Sequence, residues 1–372
     1  MSRGDMNGKD VYLHGIGTAV PENSYTQEFA LDFMLRNLDA RGSTGVFLKK
    51  IYRGSAIEKR HSVISDYGRD PSEYEFFTPP SLRPEPALHK RNSLYIKESG
   101  RLALKAAQNL FGSIRVVPPD RVTHLITVSC TGFSAPGFDL YLAEHLGFSE
   151  DLERFNLGFM GCYGAFPALR MAGYICSSCP GARVLIVNVE LCSLHFQLKD
   201  DPDTLVANAL FADGASAALV STEIEDSGGP RFILRDFRSR VIRGTNDAMA
   251  WEIGENAFDM RLSVYVPRLI GDGILGAVSP ILERAGLGFG NIRYAVHPGG
   301  KAVLDRFSEA LSLEKEKLNE SFSVLRDYGN MSSATVMFVL EKIRCSDGAG
   351  HVLSAAFGPG LTVETALLEK TG

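Results

Sequence analysis

The chain has 372 residues, of which 45% are hydrophobic and 22% charged, and its formal net charge is −5. This composition is typical of a globular protein with a large core, and the weak negative charge argues against a general nucleic-acid-binding surface. No apolar run reaches about 18 residues, so no membrane span is predicted. The polar N-terminus lacks the apolar segment of a signal peptide. Six cysteines in a chain of this length favour free thiols in a reducing cytoplasm.

In chain order, the first half alternates predicted strands and helices. The segment 183–190 is almost continuously apolar, which indicates a strand covered on both faces. The segment 49–61 is basic, which fits either a solvated helix face or a contact with a phosphate-bearing ligand. Strands are predicted over 11–20, 122–130, 183–190 and 216–221, and helices over 24–38, 93–110, 138–146 and 205–210.

The second half repeats this alternation after a strong turn signal, Asp-Ser-Gly-Gly-Pro, at 226–230. We therefore predict two halves, residues 1–228 and residues 229–372. In the second half, strands are predicted over 231–239, 257–262, 292–297 and 351–357, and helices over 265–285, 301–311 and 332–343.

One cysteine, Cys162, lies in a glycine-flanked turn between an apolar segment, 155–160, and a buried helix that begins at 165. At a helix N-terminus the macrodipole favours a thiolate, so Cys162 is a candidate nucleophile. A small, buried and inert thiol fits this stretch equally well. Cys176 and Cys179 have C-x-x-C spacing, but no second pair accompanies them, so two incidental thiols are favoured over a zinc or redox site.

A single offset relates the two halves. Ser129 ends a predicted strand 33 positions before Cys162, and His297 ends another strand 33 positions before Asn330. The next strand begins 21 positions after each turn residue. An offset of 168 therefore aligns strand, glycine turn, helix and strand. Two such α/β halves predict layered packing, with helices outside and between the sheets.

The repeat brings Cys162, His297 and Asn330 towards one cleft, which favours a nucleophilic role for the thiol. A cysteine with a histidine is compatible with proteolysis or with acyl transfer between thioesters. The donors of His297 and Asn330 would form an oxyanion hole for a thioester enolate. A site without a carboxylate base fits decarboxylation, which generates a carbanion without removing a proton. His297 could also pair with the thiolate as imidazolium.

Four stretches carry a family resemblance: Gly-Cys at 161–162, His-Pro-Gly-Gly at 297–300, Tyr-Gly-Asn-Met-Ser-Ser at 328–333 and Phe-Gly-Pro-Gly-Leu-Thr-Val-Glu at 357–364. They resemble the type III polyketide synthases, the chalcone-synthase-like branch of the thiolase superfamily, and the likeness runs from about residue 11 to residue 368. The resemblance implies an α/β fold of thiolase type, with αβαβα layers built from two pseudo-repeated halves. It also implies a homodimer.

In this family Cys162 would take an acyl starter from its coenzyme A thioester. His297 and Asn330 would bind malonyl-CoA and stabilise the enolate left by decarboxylation. The condensation would repeat before cyclisation to a resorcinol, phloroglucinol-like or pyrone product, with no cofactor or metal beyond the coenzyme A substrates. A single-round β-ketoacyl synthase, an inactive acyl-binding protein and a cysteine hydrolase are the alternatives.

The resemblance also assigns a cavity that differs from that of plant chalcone synthases. Phe211 and Met260 match its two gatekeeper positions, and Ala135 matches the residue that crosses the dimer interface. The residues found at these cavity positions are more like those of bacterial alkylresorcinol and alkylpyrone synthases, which take fatty acyl starters. The other residues expected in the cavity are Trp251, Cys130, Cys192, His195 and Ser332, and the coenzyme A contacts are loosely matched by Arg53, Lys59, Arg60 and Lys301.

Overall fold

The computed structural model describes residues 9–372 apart from 39, 41, 115–117, 224–228 and 264–265. The predicted boundary at residue 228 lies outside the described residues, so that division stays a prediction. None of the described helices combines the length and the hydropathy needed to cross a bilayer.

The described strands are β1 (Tyr12–Ala19), β2 (Ser24–Thr26), β3 (Lys59–His61), β4 (His124–Ser129), β5 (Glu153–Gly158), β6 (Arg183–Leu191), β7 (Asp213–Ser221), β8 (Phe232–Val241), β9 (Met249–Ile253), β10 (Phe258–Leu262), β11 (Arg293–Val296), β12 (Gly350–Gly358) and β13 (Thr362–Lys370). The described α-helices are α1 (Gln27–Asn37), α2 (Ser43–Arg53), α3 (Leu88–Ile114), α4 (Phe138–Leu146), α5 (Ala165–Ser178), α6 (Pro202–Leu210), α7 (Val266–Ala285), α8 (Lys301–Ala310), α9 (Asn319–Tyr328) and α10 (Thr335–Cys345).

The main sheet has nine strands in the order β11-β12-β13-β8-β1-β7-β6-β4-β5. At its centre β1 and β8 pair antiparallel through only two residue pairs. On one side, β1 pairs antiparallel with β7, β7 pairs antiparallel with β6, and β6 pairs parallel with β4. On the other side, β8 pairs antiparallel with β13, β13 pairs antiparallel with β12, and β12 pairs parallel with β11. The two halves therefore share one topology, and β5 extends the N-terminal half by a further parallel strand.

The strands of each half divide their side chains between two cores, as the period-2 alternation of a strand requires. Ile186 of β6 packs with α5 and α10 in a central core, whereas Leu185 packs with α1 to α4 in an outer core. In the other half, Val352 of β12 faces the central core and Leu353 faces α7, α8 and α9 in a second outer core. The resulting order is helix, strand, helix, strand, helix, which confirms the layered αβαβα fold.

The equivalent turns of the two halves each contain a glycine with positive φ. Gly161 has φ 74° and Gly329 has φ 70°, in the left-handed region that favours glycine. In the first half a single 3₁₀ turn, Gly161–Tyr163, begins at the glycine and leads into α5, whereas in the second half the 3₁₀ turn Ser332–Ala334 begins after Asn330 and leads into α10. This geometry places Cys162 and Asn330 at corresponding positions, as the offset predicts.

Several sequence-based boundaries were wrong. The predicted helix over 24–38 begins only at Gln27, because Thr26 caps it by accepting a hydrogen bond from Phe29 N at 3.2 Å. Residues 24–26 instead pair with β3. The basic segment 49–61 is not one helix face, since α2 ends at Arg53 and β3 begins at Lys59. The periodicity also missed β9, β13 and α9.

Candidate active site

The thiol of Cys162 opens into a cavity of about 570 Å³ that is lined by residues of both halves. The side chain retains some accessible surface, and yet burial is the main cause that raises the pKa of the thiol to about 12. Its accessible surface therefore faces this cavity and not bulk solvent. Such placement suits a nucleophile that meets its substrate in an enclosed site.

Asn330 reaches the same point from the other half. Its amide oxygen and nitrogen both lie 4.0 Å from Cys162 Sγ. The Ser332 N–H donates to Asn330 Oδ1 at 2.9 Å, and Asn330 Nδ2 donates to the Gly299 carbonyl at 3.3 Å. These two bonds fix the amide orientation, because only one end of the amide can donate. The second Nδ2 hydrogen is directed at Cys162 Sγ.

His297 follows β11, and its main-chain N–H donates to the Ala355 carbonyl at 2.8 Å. The imidazole lines the cavity. Among the described residues neither of its ring nitrogens has a hydrogen-bond partner, although the side chain is buried. A buried polar group without a partner is costly, and at a functional site it indicates a group held ready for a ligand.

Electrostatics favour neutral groups at this site. Burial raises the pKa of Cys162 to about 12, while hydrogen bonds from the Ser332 and Asn330 side chains act in the opposite direction. Burial also lowers the pKa of His297 to about 3. Burial therefore has the larger effect on the pKa of the Cys162 thiol, and the thiolate that the helix N-terminus would favour stays a prediction. An isolated charge is unstable here, so charged forms can occur only as a thiolate and an imidazolium together.

A buried carboxyl group behind the thiol was missed in the sequence. Glu190 accepts hydrogen bonds from Ser333 Oγ at 2.5 Å, from Cys130 N at 3.0 Å and from Thr131 Oγ1 at 3.1 Å. Burial raises the pKa of Glu190 to about 7 despite these donors. Because Ser333 belongs to the other half, Glu190 fixes the two turns relative to each other. The available signal was a glutamate at the end of an otherwise apolar strand.

One wall of the cavity is aromatic. Trp251 and Met260 face each other across the β9–β10 hairpin, and both line the cavity. Trp251 Nε1 donates to the Cys130 carbonyl at 2.7 Å. His195 lies edge-on to Trp251 and stacks on Phe258, with ring centroids 5.3 and 4.2 Å apart. Burial lowers the pKa of His195 to about 3, so His195 is a neutral residue of the cavity wall and not a general acid.

Most predicted cavity residues come together around Cys162, and one does not. Phe211 pairs with Asn330 through an isolated β-bridge, in which the Ala212 N–H donates to the Asn330 carbonyl at 2.8 Å. Ala135 lies on an exposed loop and outside the wall of the cavity. The predicted residues that line the cavity are Cys130, Cys192, His195, Phe211, Trp251, Met260 and Ser332.

The predicted coenzyme A contacts are only partly at the cavity. Lys301 lines the cavity, and its Nζ lies 2.5 Å from Asp305 Oδ2. Arg60 also lines it, but its Nη1 donates to the carbonyls of Asn208 and Phe211 at 2.8 and 2.7 Å. It therefore holds the Phe211 segment in place.

Arg53 and Lys59 are exposed and do not line the cavity. Arg53 pairs with Glu28 at 2.8 Å. Lys50 does line the cavity. This lysine belongs to the basic segment 49–61, but it was not singled out from the sequence.

The C-x-x-C pair lies away from this site. The Cys176 thiol is buried and contacts the Val220 carbonyl at 3.5 Å, whereas Cys179 is exposed. All six cysteines are free. In contrast, a thiol, a fixed amide and an imidazole without a partner among the described residues line one cavity, an arrangement that suits thiol-dependent acyl transfer.

Comparison with known proteins identifies the family. The family model for the N-terminal domain of chalcone and stilbene synthases matches residues 2–224, and the model for the C-terminal domain matches residues 235–371. The chain therefore belongs to the chalcone and stilbene synthases. It is a type III polyketide synthase, an enzyme of the acyltransferase type.

Relatives with curated descriptions agree with this assignment. Type III polyketide synthase 21 of Oryza sativa subsp. japonica is 33% identical over 382 residues, covering 99% of this chain and 95% of that protein. Bisdemethoxycurcumin synthase of the same plant is 33% identical over 375 residues, covering 96% and 91%. Probable polyketide synthase 1 of Dictyostelium discoideum is 29% identical over 366 residues. This chain spans 11% of that much longer protein.

Solved structures show the same fold. The C-terminal type III polyketide synthase domain of Steely1, a type I/III hybrid from Dictyostelium, has a TM-score of 0.89 at 28% identity, with 97% of this chain and 99% of that chain covered. PKS-I from the brown alga Ectocarpus siliculosus has a TM-score of 0.90 at 27% identity, with 98% and 99% covered. The expected closeness to bacterial members stays a prediction.

Proposed function

We propose that this polyketide synthase carries out iterative decarboxylative condensation of malonyl-CoA onto an acyl-CoA starter, followed by cyclisation. One observation carries the proposal: Cys162 Sγ lies 4.0 Å from the Asn330 amide, beside an imidazole whose two ring nitrogens have no partner among the described residues. Nucleophile and oxyanion donors thus come from different halves and meet at one point.

Acyl loading begins when the starter thioester enters the cavity. The Cys162 sulfur attacks the thioester carbonyl carbon while its proton passes to His297, so the two charges appear together. The bond between that carbon and the coenzyme A sulfur then breaks, and the departing thiolate takes the proton from His297. This transfer needs no net charge in the buried site, as the shifted pKa values of Cys162 and His297 require.

Extension uses the donors of the second half. When malonyl-CoA loses carbon dioxide, the electron pair of the broken bond moves onto the thioester oxygen. Asn330 Nδ2 and an N–H of neutral His297 are placed to stabilise that oxygen. The resulting enolate attacks the acyl carbon on Cys162, which forms a carbon–carbon bond and releases the thiolate. The extended chain then returns to Cys162 for another cycle. Decarboxylation supplies the carbanion, so the proposal includes no cofactor or metal.

The mouth of the cavity carries the charge that a coenzyme A thioester needs. Lys50 and Lys301 both line the cavity, and lysine ammonium groups bind phosphates as point charges. Arg53 and Lys59, outside the wall, are proposed to contact only the outer phosphates, and Arg60 serves mainly to hold Phe211. The proposed starter is a fatty acyl group, supported by the mostly apolar wall.

A homodimer is part of the proposal. Strand β5 is the last strand of the nine-stranded sheet, so its outer edge is open to pairing. Phe133 and Phe159 are 56% and 39% exposed beside it, and their ring centroids are 6.4 Å apart. Ala135 lies on the same loop as Phe133, where a residue directed towards a second subunit would lie. Six free cysteines favour a reducing, cytoplasmic location.

Incubation with malonyl-CoA and a panel of acyl-CoA starters tests the proposal, with products weighed by mass spectrometry. We expect products that contain two or more decarboxylated malonyl units and no coenzyme A, because closure to a pyrone or a phloroglucinol-like ring expels coenzyme A, while aldol closure to a resorcinol also expels water. A product extended only once would identify a single-round β-ketoacyl synthase. Acyl-CoA binding without carbon dioxide release would identify an acyl-binding protein, and simple release of the free acid would identify a hydrolase.

A further inference from the structure

Arg91 is completely buried, and it lies outside the wall of the catalytic cavity. It belongs to the first turn of α3, and 0% of its surface is accessible. A buried guanidinium is costly unless its donors have partners, so these partners show what the charge holds in place. They lie in residues 192–196, here named the wall turn. The residues of the wall turn that line the cavity are Cys192, Ser193, His195 and Phe196.

The guanidinium of Arg91 binds the main chain of the wall turn. Its Nη1 donates to the Leu194 carbonyl at 2.5 Å and to the Phe196 carbonyl at 2.8 Å. Its Nε donates to the Pro86 carbonyl at 2.8 Å. Hydrogen bonds from a charged donor are stronger than those between neutral groups. Because the two carbonyls of the wall turn flank His195, one nitrogen atom fixes the backbone on both sides of that residue.

Two carboxylates complete the support of the wall turn. Glu85 Oε2 lies 3.4 Å from Arg91 Nη2, and Glu85 Oε1 accepts a hydrogen bond from Leu198 N at 3.0 Å. At the start of the turn, Asp213 accepts from Ser193 N at 2.7 Å. The wall turn lies beyond the end of β6, so these side chains take the place of sheet pairing. Arg91 thus holds the end of the turn that carries His195.

His195 connects the wall turn to the β9–β10 hairpin. Its Nε2 lies 2.8 Å from the Thr131 carbonyl, and its Nδ1 accepts a hydrogen bond from Phe258 N at 3.0 Å. A carbonyl only accepts and an N–H only donates, so the neutral imidazole carries its proton on Nε2. The same ring stacks on Phe258. The position of His195 therefore sets the position of the hairpin, whose Trp251 and Met260 line the cavity.

We propose that Arg91 is a positioning residue that sets polyketide length, because it holds the wall turn and, through His195, the β9–β10 hairpin against the cavity. Arg91 acts without touching the substrate. Lysine keeps the charge, but its single nitrogen cannot occupy the places of both Nε and Nη1. Arg91→Lys therefore releases the wall turn from one of its bonds and lets the hairpin move. The proposal rests on the proposed function only where product length is measured.

The fluorescence of Trp251 tests the positioning directly and needs no substrate. Trp251 is the one tryptophan of the chain, so its emission reports on the hairpin alone. Arg91→Lys should shift the emission to longer wavelength and increase quenching by acrylamide, because a displaced indole meets more water. Arg344→Lys is the matched control. Arg344 is also a buried arginine, paired with Glu341 at 2.7 Å and with the Pro230 carbonyl at 2.9 Å, and its variant should keep the wild-type emission.

Product length is the second measurement, made by mass spectrometry after incubation with dodecanoyl-CoA and malonyl-CoA. Losing one charge-assisted hydrogen bond shifts an equilibrium about tenfold. In Arg91→Lys, the ratio of products that differ by one malonyl extension should change by about that factor. Carbon dioxide release per folded molecule should stay at the wild-type rate, since Asn330 and His297 do not contact the wall turn. A merely structural role for Arg91 would lower both activities equally and leave the product ratio unchanged.

Glu85→Gln keeps the proposal testable if Arg91→Lys does not fold. It removes the charge beside Arg91 but keeps an amide oxygen for Leu198, so both readouts should move in the same direction by less. Wild-type Trp251 emission or a wild-type product ratio in folded Arg91→Lys would overturn the proposal, as would equal changes in Arg344→Lys. If the wild-type protein forms no polyketide, the proposed function fails, while the emission still decides whether Arg91 positions the wall.

Discussion

The two halves of the molecule share one scaffold and differ in the side chain at the equivalent turn. Each has a glycine with positive φ, at Gly161 and Gly329, and a single 3₁₀ turn that leads into a central-layer helix. The N-terminal half places a thiol there, Cys162, and the C-terminal half places an amide, Asn330. The comparison teaches that the fold supplies two corresponding turns before the central helices, while the residue at each turn sets the proposed role, covalent attachment or oxyanion stabilisation.

The halves also differ in what surrounds the turn. In the N-terminal half burial raises the pKa of the thiol, and the charge of the buried Glu190 adds a smaller effect in the same direction. In the C-terminal half the imidazole of His297 occupies the position that corresponds to Ser129. The Ser333 hydroxyl crosses between the halves to Glu190 at 2.5 Å. The chemistry is therefore divided between the halves, and their relative position is fixed by a buried hydrogen bond.

The largest effect is expected for Cys162→Ala, which removes the acyl acceptor of the N-terminal half. Acyl loading and polyketide formation should fall by more than about 10³-fold, because no other group can replace a nucleophile. Intact-protein mass spectrometry after incubation with an acyl-CoA measures the loading. Cys179→Ala, at an exposed thiol, is the control, and normal product formation by Cys162→Ala would remove the thiol from the mechanism.

His297→Ala should isolate the thiol from its proton acceptor. A thiol with a pKa of about 12 is ionised to roughly one part in 10⁵ at pH 7. Alkylation of Cys162 by iodoacetamide at pH 7 should therefore slow more than about 100-fold. In this variant the rate should rise about tenfold per pH unit up to pH 9, whereas the wild type should level off at lower pH.

His89→Ala, at an exposed position, is the control for that experiment and should keep the wild-type profile. A wild-type rate that climbs with the same slope as the variant, with no plateau, would mean that His297 does not accept the proton. The proposed transfer of the Cys162 proton to His297 would then be wrong.

Asn330→Ala removes the amide of the C-terminal half. Malonyl-CoA decarboxylation should slow about 10²- to 10³-fold, the typical loss for one oxyanion-hole donor. Carbon dioxide release measures this rate directly, and exposed Asn291→Ala is the matched control. If Asn330→Ala decarboxylates at the wild-type rate, the oxyanion role belongs elsewhere.

Trp251→Gly should have the smallest effect on rate, because Trp251 shapes the cavity and does not touch the reacting atoms. Removing the indole opens the cavity wall opposite Met260 and eliminates the hydrogen bond to the Cys130 carbonyl. We expect the product profile to shift towards longer chains, with overall turnover changed by no more than about tenfold. An unaltered chain-length profile would show that Trp251 does not limit the growing chain.

Much of the site could be predicted because its determinants are local. Equal spacings in the two halves placed Cys162 opposite Asn330, and the structure finds them 4.0 Å apart. The layered fold also followed from alternating strands and helices. Boundaries failed where tertiary contacts outweigh the local pattern, as at residues 24–26, which pair with β3 instead of extending α1.

Other features depend on packing that a sequence does not encode locally. Arg60 matched a ligand contact by position, but carbonyls of a distant segment, Asn208 and Phe211, take its hydrogen bonds. Glu190 acquires its neighbours from β4 and from the turn before α10.

Carbon dioxide release from malonyl-CoA by Cys162→Ala tests the division of labour between the halves most directly. In the proposed mechanism, decarboxylation requires the donors of Asn330 and His297 and not the thiol. We therefore predict that this variant continues to release carbon dioxide without forming polyketide, whereas Asn330→Ala accepts an acyl group but releases carbon dioxide slowly. Loss of both activities in both variants would contradict the division and show that the two halves act only as one unit.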